Sequence, residues 1–385
     1  MPPAWVNMVQ DTQTSHLPDA YDPEPVEQGI NVYYTDMLYG GVSFAVIEDR
    51  KWKSGPRSLL SPSELKYGHF DVNKHGDVEG AQLLGQRQLD FLEAWAADWS
   101  GDTRMKAVVS GTIFASVHTF PRTPNTVLDG VWAPQVEKGA YPPNDILAQD
   151  LDSNGWPQTP RLAALKKMRK AFAFHISGDT HVGTVVQYGI EDWGNASWVF
   201  GSPSISNVAA RRWFPQQFPV DYVKGAPRNL GKFYDGLGNR ITVRAVANPT
   251  KTDIEPVQIN QLAPGYNILV FDTDNQTVEV QAWPRWVDPV APGAGQFDGW
   301  PVRLKHTDNG FPEHGLKLPT LRLPIDYPTI QVIDERTNEI VYTVRLKGPI
   351  LAPPVFSPGT YQVRVFDKEM NLLQEFAKLE AVPEQ

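Results

Sequence analysis

At 385 residues the chain has room for two or three domains. Its 41% hydrophobic and 11% aromatic content supplies packed cores and excludes a disordered chain. The net charge of -9, with no long basic run, argues against a nucleic-acid-binding surface, and the absence of cysteine excludes disulfides and thiolate metal sites.

Residues 1–30 are polar and proline-rich, with no clear period. Met1 to Gln10 shows neither a basic start nor an apolar run, so no signal peptide is expected on this chain. No stretch approaches the ~20 apolar residues of a membrane span. The chain therefore reads as soluble, with its location open. Residues 42–47 form an apolar run between Gly40-Gly41 and Glu48-Asp49-Arg50, expected to be a buried strand. Residues 54–79 read as loop. Leu89, Leu92, Ala96 and Trp99 then recur at helical spacing, with Glu93 and Asp98 off the stripe. Residues 105–110 read as a strand closing at Gly111, and helix followed by strand is the alternation of a layered α/β domain.

The next helix is expected to take Thr159 as N-cap and Pro160 as its first residue. Leu162, Leu165, Met168 and Phe172 give its apolar face, and Lys166, Lys167, Arg169 and Lys170 gather near its end, where the dipole favours them. Residues 173–176 read as a strand that ends in the turn Ser177-Gly178-Asp179-Thr180-His181, and 182–188 as a second strand. After about residue 235 helical periodicity disappears until the last dozen residues. Strands are expected at 241–247, 266–272 and 277–282, then at 329–333, 340–346 and 360–366.

Asp179 and His181 are the strongest chemical candidates. Two donors one residue apart on a tight turn can face one metal ion, Gly178 permits close backbone approach, and a carboxylate beside an imidazole suits iron, zinc or manganese. The competing structural role is an Asp that caps the turn and a His hydrogen-bonded in the loop. Upstream, Asp150-Leu151-Asp152-Ser153-Asn154-Gly155-Trp156-Pro157 would present oxygen donors from Asp152 and Asn154, or form an Asx turn leading into the helix. His16 stands near Pro18 as a candidate site residue or an exposed loop histidine. His175, inside a strand, reads as a satisfied core or supporting residue. Trp193, Trp198 and Trp213 read as core or pocket wall.

Four segments in order resemble the PhoD-like alkaline phosphatases, a branch of the metallophosphoesterases. They are the run from Tyr39-Gly40-Gly41 to Asp49-Arg50; Leu84-Gly85-Gln86 with Leu89; Gly155-Trp156-Pro157 with Arg161; and Ser177-Gly178-Asp179-Thr180-His181. The resemblance spans roughly residues 10–215. It implies a partial layered α/β domain of the αββα type over 1–235, followed by all-β segments: a strand-rich stretch at 236–320 and a small β-sandwich-like domain at 321–385. It implies a metal-dependent phosphoric ester hydrolase, a phosphomonoesterase or phosphodiesterase, with iron and calcium as the metals. Asp179 and His181 would be metal ligands, Asn154 and Asp152 would share the loop-ligand position, and Arg161 would stand near substrate or behind the ligands; His16 matches no family motif and is a candidate for the same role only as the early histidine of the chain. Asn154 occupies a position where the family has Asp, so a carbonyl oxygen replaces a charge there. The family's early ligand motifs have no counterpart, which implies an incomplete catalytic chain that needs an upstream segment or partner chain. The alternative is a non-catalytic binding or structural protein that retains the scaffold. Members of the family are often exported.

Overall fold

The computed structural model describes residues 1–66, 68–122, 135–311 and 315–383. Gly40 and Gly41 both adopt left-handed φ values, +57° and +81°, and turn β1 (Thr35–Tyr39) back onto β2 (Val42–Val46) in a two-residue hairpin. From β2 the chain crosses through helix α1 (Gly85–Ala97) to β3 (Met105–Thr112), which lies parallel to β2. A second crossover through helix α2 (Gln158–Arg169) leads to β4 (Phe174–Gly178), parallel to β3. Then β5 (Gly183–Tyr188), β6 (Trp198–Gly201), β7 (Gly231–Tyr234) and β8 (Arg240–Ala247) complete one mixed sheet in the order β1-β2-β3-β4-β6-β5-β8-β7. β4 and β6 are parallel; β6, β5, β8 and β7 pair antiparallel.

Helices α1 and α2 cover one face of this sheet. α1 buries Gln88, Phe91, Leu92, Trp95 and Ala96, which meet Leu165 and Met168 of α2 over Val108, Val186 and Ile241. The buried stripe is rotated from the one anticipated: Leu89 is only partly buried and Trp99 lies beyond the helix end. Thr159 does not cap α2. Pro157 flanks its start without a side-chain cap, and Asp77 accepts from the Thr159 amide at 3.0 Å instead. Glu93 of α1 receives Lys167 and Lys170 at 2.5 Å each, which ties the two helices together.

The opposite face is covered by three antiparallel strands, β9 (Gly265–Asp272), β10 (Thr277–Pro284) and β11 (Val302–Lys305). Val278, Val280, Val302 and Leu304 pack there on Met105, Ala107, Phe174 and Phe200. Residues 240–247, grouped by sequence with the strand-rich stretch, belong instead to the large sheet. Ile241, Val243, Ala245 and Ala247 alternate inward and β8 pairs with β5. The fold is thus α/β, layered, with all-β segments following.

The C-terminal portion forms a four-stranded antiparallel sheet, in the order β13 (Glu339–Arg345), β12 (Thr329–Asp334), β14 (Thr360–Phe366), β15 (Leu372–Glu380). Residues 372–380, near the end of the chain, are therefore strand and not helix, because β15 completes the pairing of β14. Its core of Ile330, Val332, Tyr342, Val344 and Val363 takes in Trp99 and Phe172, which follow α1 and α2. The β-rich portion is thereby anchored near the amino ends of β3 and β4. Near the N-terminus, Pro3–Thr14 is a helix where no period was legible, since it has no buried residue to impose one. Residues 56–59 and 72–75, within the expected loop, each form one helical turn.

Candidate functional site

Because β2, β3 and β4 run parallel, their carboxyl ends lie side by side, the edge at which open α/β sheets hold ligands. The β3–β4 register breaks between Ser110 and Thr112, leaving Gly111 as a bulge. A side chain at Gly111 would bring its Cβ to 3.0 Å from Asp49 Oδ1, so the glycine makes room for the carboxylate that follows β2. Asp49 is buried. Its Oδ2 accepts from the Thr112 amide at 2.7 Å and from Asn154 Nδ2 at 2.6 Å. Burial pushes its carboxyl above the usual range, against the opposing pull of these two bonds and of Arg50.

The turn after β4 is strained. Asp179 and His181 hold φ of +52° and +57°, a region that non-glycine residues seldom occupy and that clusters at functional positions. Gly178 does not carry the close approach anticipated for it, since a Cβ there would meet its nearest neighbour at 3.9 Å. The strain falls on the two donor residues themselves. His181 Nε2 stands 3.3 Å from Asp179 Oδ1, while its carbonyl accepts from Asn207 Nδ2 at 2.9 Å. The hydrogen bond from His181, with the Arg50 guanidinium close by, holds the Asp179 carboxyl below the usual carboxylate range.

Arg50, which immediately follows Asp49, crosses this edge. Its Nη1 donates to Asp152 Oδ1 and Oδ2 at 2.9 and 3.1 Å, and its Nη2 pairs with Asp179 Oδ2. Lys53 Nζ donates to the carbonyls of Asp152 and Ser153 at 2.6 and 2.7 Å, and burial lowers its pKa to about 8. The Asx turn of this loop is made by Asp150, whose Oδ1 accepts from the amides of Asp152 and Ser153 at 3.0 and 3.2 Å. Asp150 Oδ2 also stands 3.1 Å from Arg211.

Asp179, His181, Asp152 and Asn154 are therefore gathered around Asp49 and Arg50. Asn154 is fully buried, with Nδ2 on Asp49 and on the Thr112 carbonyl and Oδ1 without a partner. Thr112 Oγ1 and His181 Nδ1 are likewise buried and unpartnered. Arg161 is placed otherwise. It is buried on α2, donates Nε to the Phe114 carbonyl at 2.6 Å and stacks over Tyr188, beneath the sheet edge and shielded from solvent. His16 is exposed in the turn after the N-terminal helix. His175 is a satisfied core residue, 2.7 Å from Ser110 Oγ and 2.9 Å from Tyr188 OH. Trp213 is core, while Trp193 and Trp198 line a groove against the C-terminal portion.

Asp49, Arg50, Lys53 and Thr112 were not singled out from sequence as site residues. The signal available was position: Asp49-Arg50 directly follows the first parallel strand. Among the described residues no group of three or more His, Asp or Glu side chains is arranged to hold a metal ion. Asp179 and His181 are two donors, and a guanidinium stands between Asp179 and Asp152. The described residues therefore do not by themselves fit a resident metal.

Among the described residues no helix is long and apolar enough to cross a membrane. No family model matches the chain, and no curated relative does. Among solved structures the chain is similar to one described as "Structure of PhoD", with a TM-score of 0.41 and 13% identity over 79% of this chain and 48% of that one. The chain thus spans about half the length of the structure it resembles.

Proposed function

We propose that the chain acts on phosphoric esters, carrying the late half of a metal-dependent phosphoesterase-type site. Asp179 and His181 are the metal donors it contributes, and the remaining donors come from a further segment or a partner chain. One observation carries this reading: the Asp152–Asn154 loop and the Asp179–His181 turn, on separate segments, are drawn together by Asp49 and Arg50 at the carboxyl edge of three adjacent strands, with Asn154 Oδ1 and His181 Nδ1 buried and unpartnered. Buried polar groups normally find partners, so these orphans argue for a ligand. No chemical step is assigned to a metal here, because the donors present are too few.

The test is hydrolysis of p-nitrophenyl phosphate and bis(p-nitrophenyl) phosphate by the purified chain, with iron, calcium, manganese or zinc supplied. Low, metal-dependent turnover that Asp179→Asn abolishes supports the reading. Turnover unchanged by Asp179→Asn contradicts it. The second reading, a non-catalytic binding protein on the same scaffold, is favoured by the Arg50 bridge between Asp152 and Asp179. It predicts no turnover with any of these metals, together with saturable binding of inorganic phosphate.

A further inference from the structure

Arg50 is placed unlike an ordinary surface arginine. It leaves the end of β2 and grips two acidic residues from two other segments, 102 and 129 positions away in sequence. Each terminal nitrogen takes a different carboxylate, and Asp179 turns its second oxygen to His181 Nε2 at 3.3 Å. The backbone of Arg50 is itself held, its amide donating to Glu48 Oε1 at 2.9 Å. A guanidinium stays charged at every accessible pH and its planar fork matches carboxylates. Tethered beside both acids, it competes at a high effective concentration with any free cation. The Asp152 and Asp179 side chains are 67% and 45% exposed, so releasing them uncovers no core. A separate observation points to a ligand at the same place: Asn154 is fully buried with Oδ1 unpartnered, and His181 Nδ1 is unpartnered as well.

We propose that Arg50 is the built-in cation of this edge: its guanidinium neutralises Asp152 and Asp179 and keeps divalent metal ions from binding at Asp179 and His181. The inference rests on the reading of Asp179 and His181 as donors. It adds that an occupying side chain, as well as missing ligands, limits metal binding at this edge. Removing the charge frees the Asp179 carboxylate beside the His181 imidazole, a donor pair of the kind manganese takes, while Asp152 is not arranged with them as a third donor.

The experiment is titration of the full chain with manganese(II) alone, no substrate present, following free metal by electron paramagnetic resonance. Arg50→Met is expected to bind at least ~10-fold more tightly than the wild type. Arg50→Lys, which keeps a cation at the position, is expected to stay within ~3-fold of wild type. Arg50→Met combined with Asp179→Asn is expected to lose the gain. Arg50→Gln serves in place of Arg50→Met should the latter fail to show native circular dichroism. Affinity in the neutral variant no tighter than wild type overturns the proposal, and so does a gain that survives Asp179→Asn. Because no ester is present, this result stands apart from the hydrolysis assay: loss of turnover there leaves the binding prediction intact, and the reverse holds.

Discussion

The amino ends of β3 and β4 and their carboxyl ends make an instructive pair. At the amino ends the charged groups find carbonyl partners inside a packed core, although His306 Nδ1 is buried without a partner and Phe172 holds a φ of +48°. Arg345 of β13 donates to the carbonyls of Trp99, Gly101 and Thr103 at 2.7, 3.0 and 2.7 Å and to Thr329 Oγ1 at 3.0 Å. Lys106 lies buried over the rings of Trp95 and Trp99, its ammonium donating to the carbonyls of Trp95 and Asp98. At the carboxyl ends of the same strands, two donor residues, Asp179 and His181, sit in left-handed backbone on either side of Thr180. Asn154, Thr112 and His181 leave buried atoms unpaired, and half-exposed charges face one another across a guanidinium. The amino end keeps its strained Phe172 and unpartnered His306 sealed in the core, whereas the carboxyl end places strain and unmet hydrogen-bonding capacity on partly exposed donor residues, the pattern expected of a site.

The largest expected effect lies at the cohesive end. Arg345→Met leaves three buried or half-buried carbonyls without their donor and should lower unfolding stability by about 3–5 kcal/mol, read from urea denaturation. A loss below about 1 kcal/mol would mean that the β-rich portion is held by Trp99 and Phe172 packing alone.

Per pH unit, the buried histidines set the next effect. Burial pushes the His175 pKa down to about 3, and the same cause, with nearby Lys106, takes His306 to about 3. Both bind protons less readily folded than unfolded, so the stability they permit is complete above the unfolded pKa of ~6.5. It should fall as pH drops from there towards 3, by roughly 1.4 kcal/mol per pH unit for each histidine. A flat stability profile between pH 6 and 4 would contradict their buried, neutral state.

Lys106 gives an effect of the same sign at higher pH. Burial lowers its pKa to about 7, so the unfolded chain binds more protons than the folded one between pH 7 and ~10.4. Its contribution to stability should therefore rise with pH across that window, and Lys106→Met should flatten the rise.

The smallest effect belongs to the strained end. His181→Gly relieves a left-handed residue, worth roughly 1–2 kcal/mol, against a glycine entropy cost of about 0.5–1 kcal/mol. Stability should hold or rise slightly while a candidate donor is lost. A fall of more than ~2 kcal/mol would make His181 a structural residue instead.

Much of the cohesive architecture was legible in the chain. Turn residues bracketing apolar runs marked β2, β8 and β14, and helical spacing marked α1 and α2, while the hairpin that pairs β1 with β2 through Gly40-Gly41 was not anticipated. The N-terminal helix was not legible, because a helix that buries nothing carries no stripe. The end of the chain was misread because β15 is an exposed edge strand, with little inward alternation to reveal it. At the site, Asp179-Thr180-His181 was legible as a turn. The partnership of Arg50 with Asp152 and Asp179 was not, since it depends on the parallel order of β2, β3 and β4 bringing distant segments together. Arg161 stood out in sequence for its motif, yet the helix phase turns it inward onto the Phe114 carbonyl.

The central claim is that Asp179 and His181 are the donors this chain offers to a metal. Paramagnetic line broadening tests it directly, since it detects weak binding at single residues. In a spectrum of the eight histidine rings recorded with substoichiometric manganese(II), His181 should broaden first, and Asp179→Asn should reduce the effect. Broadening of His16 or His75 with His181 untouched would contradict the account.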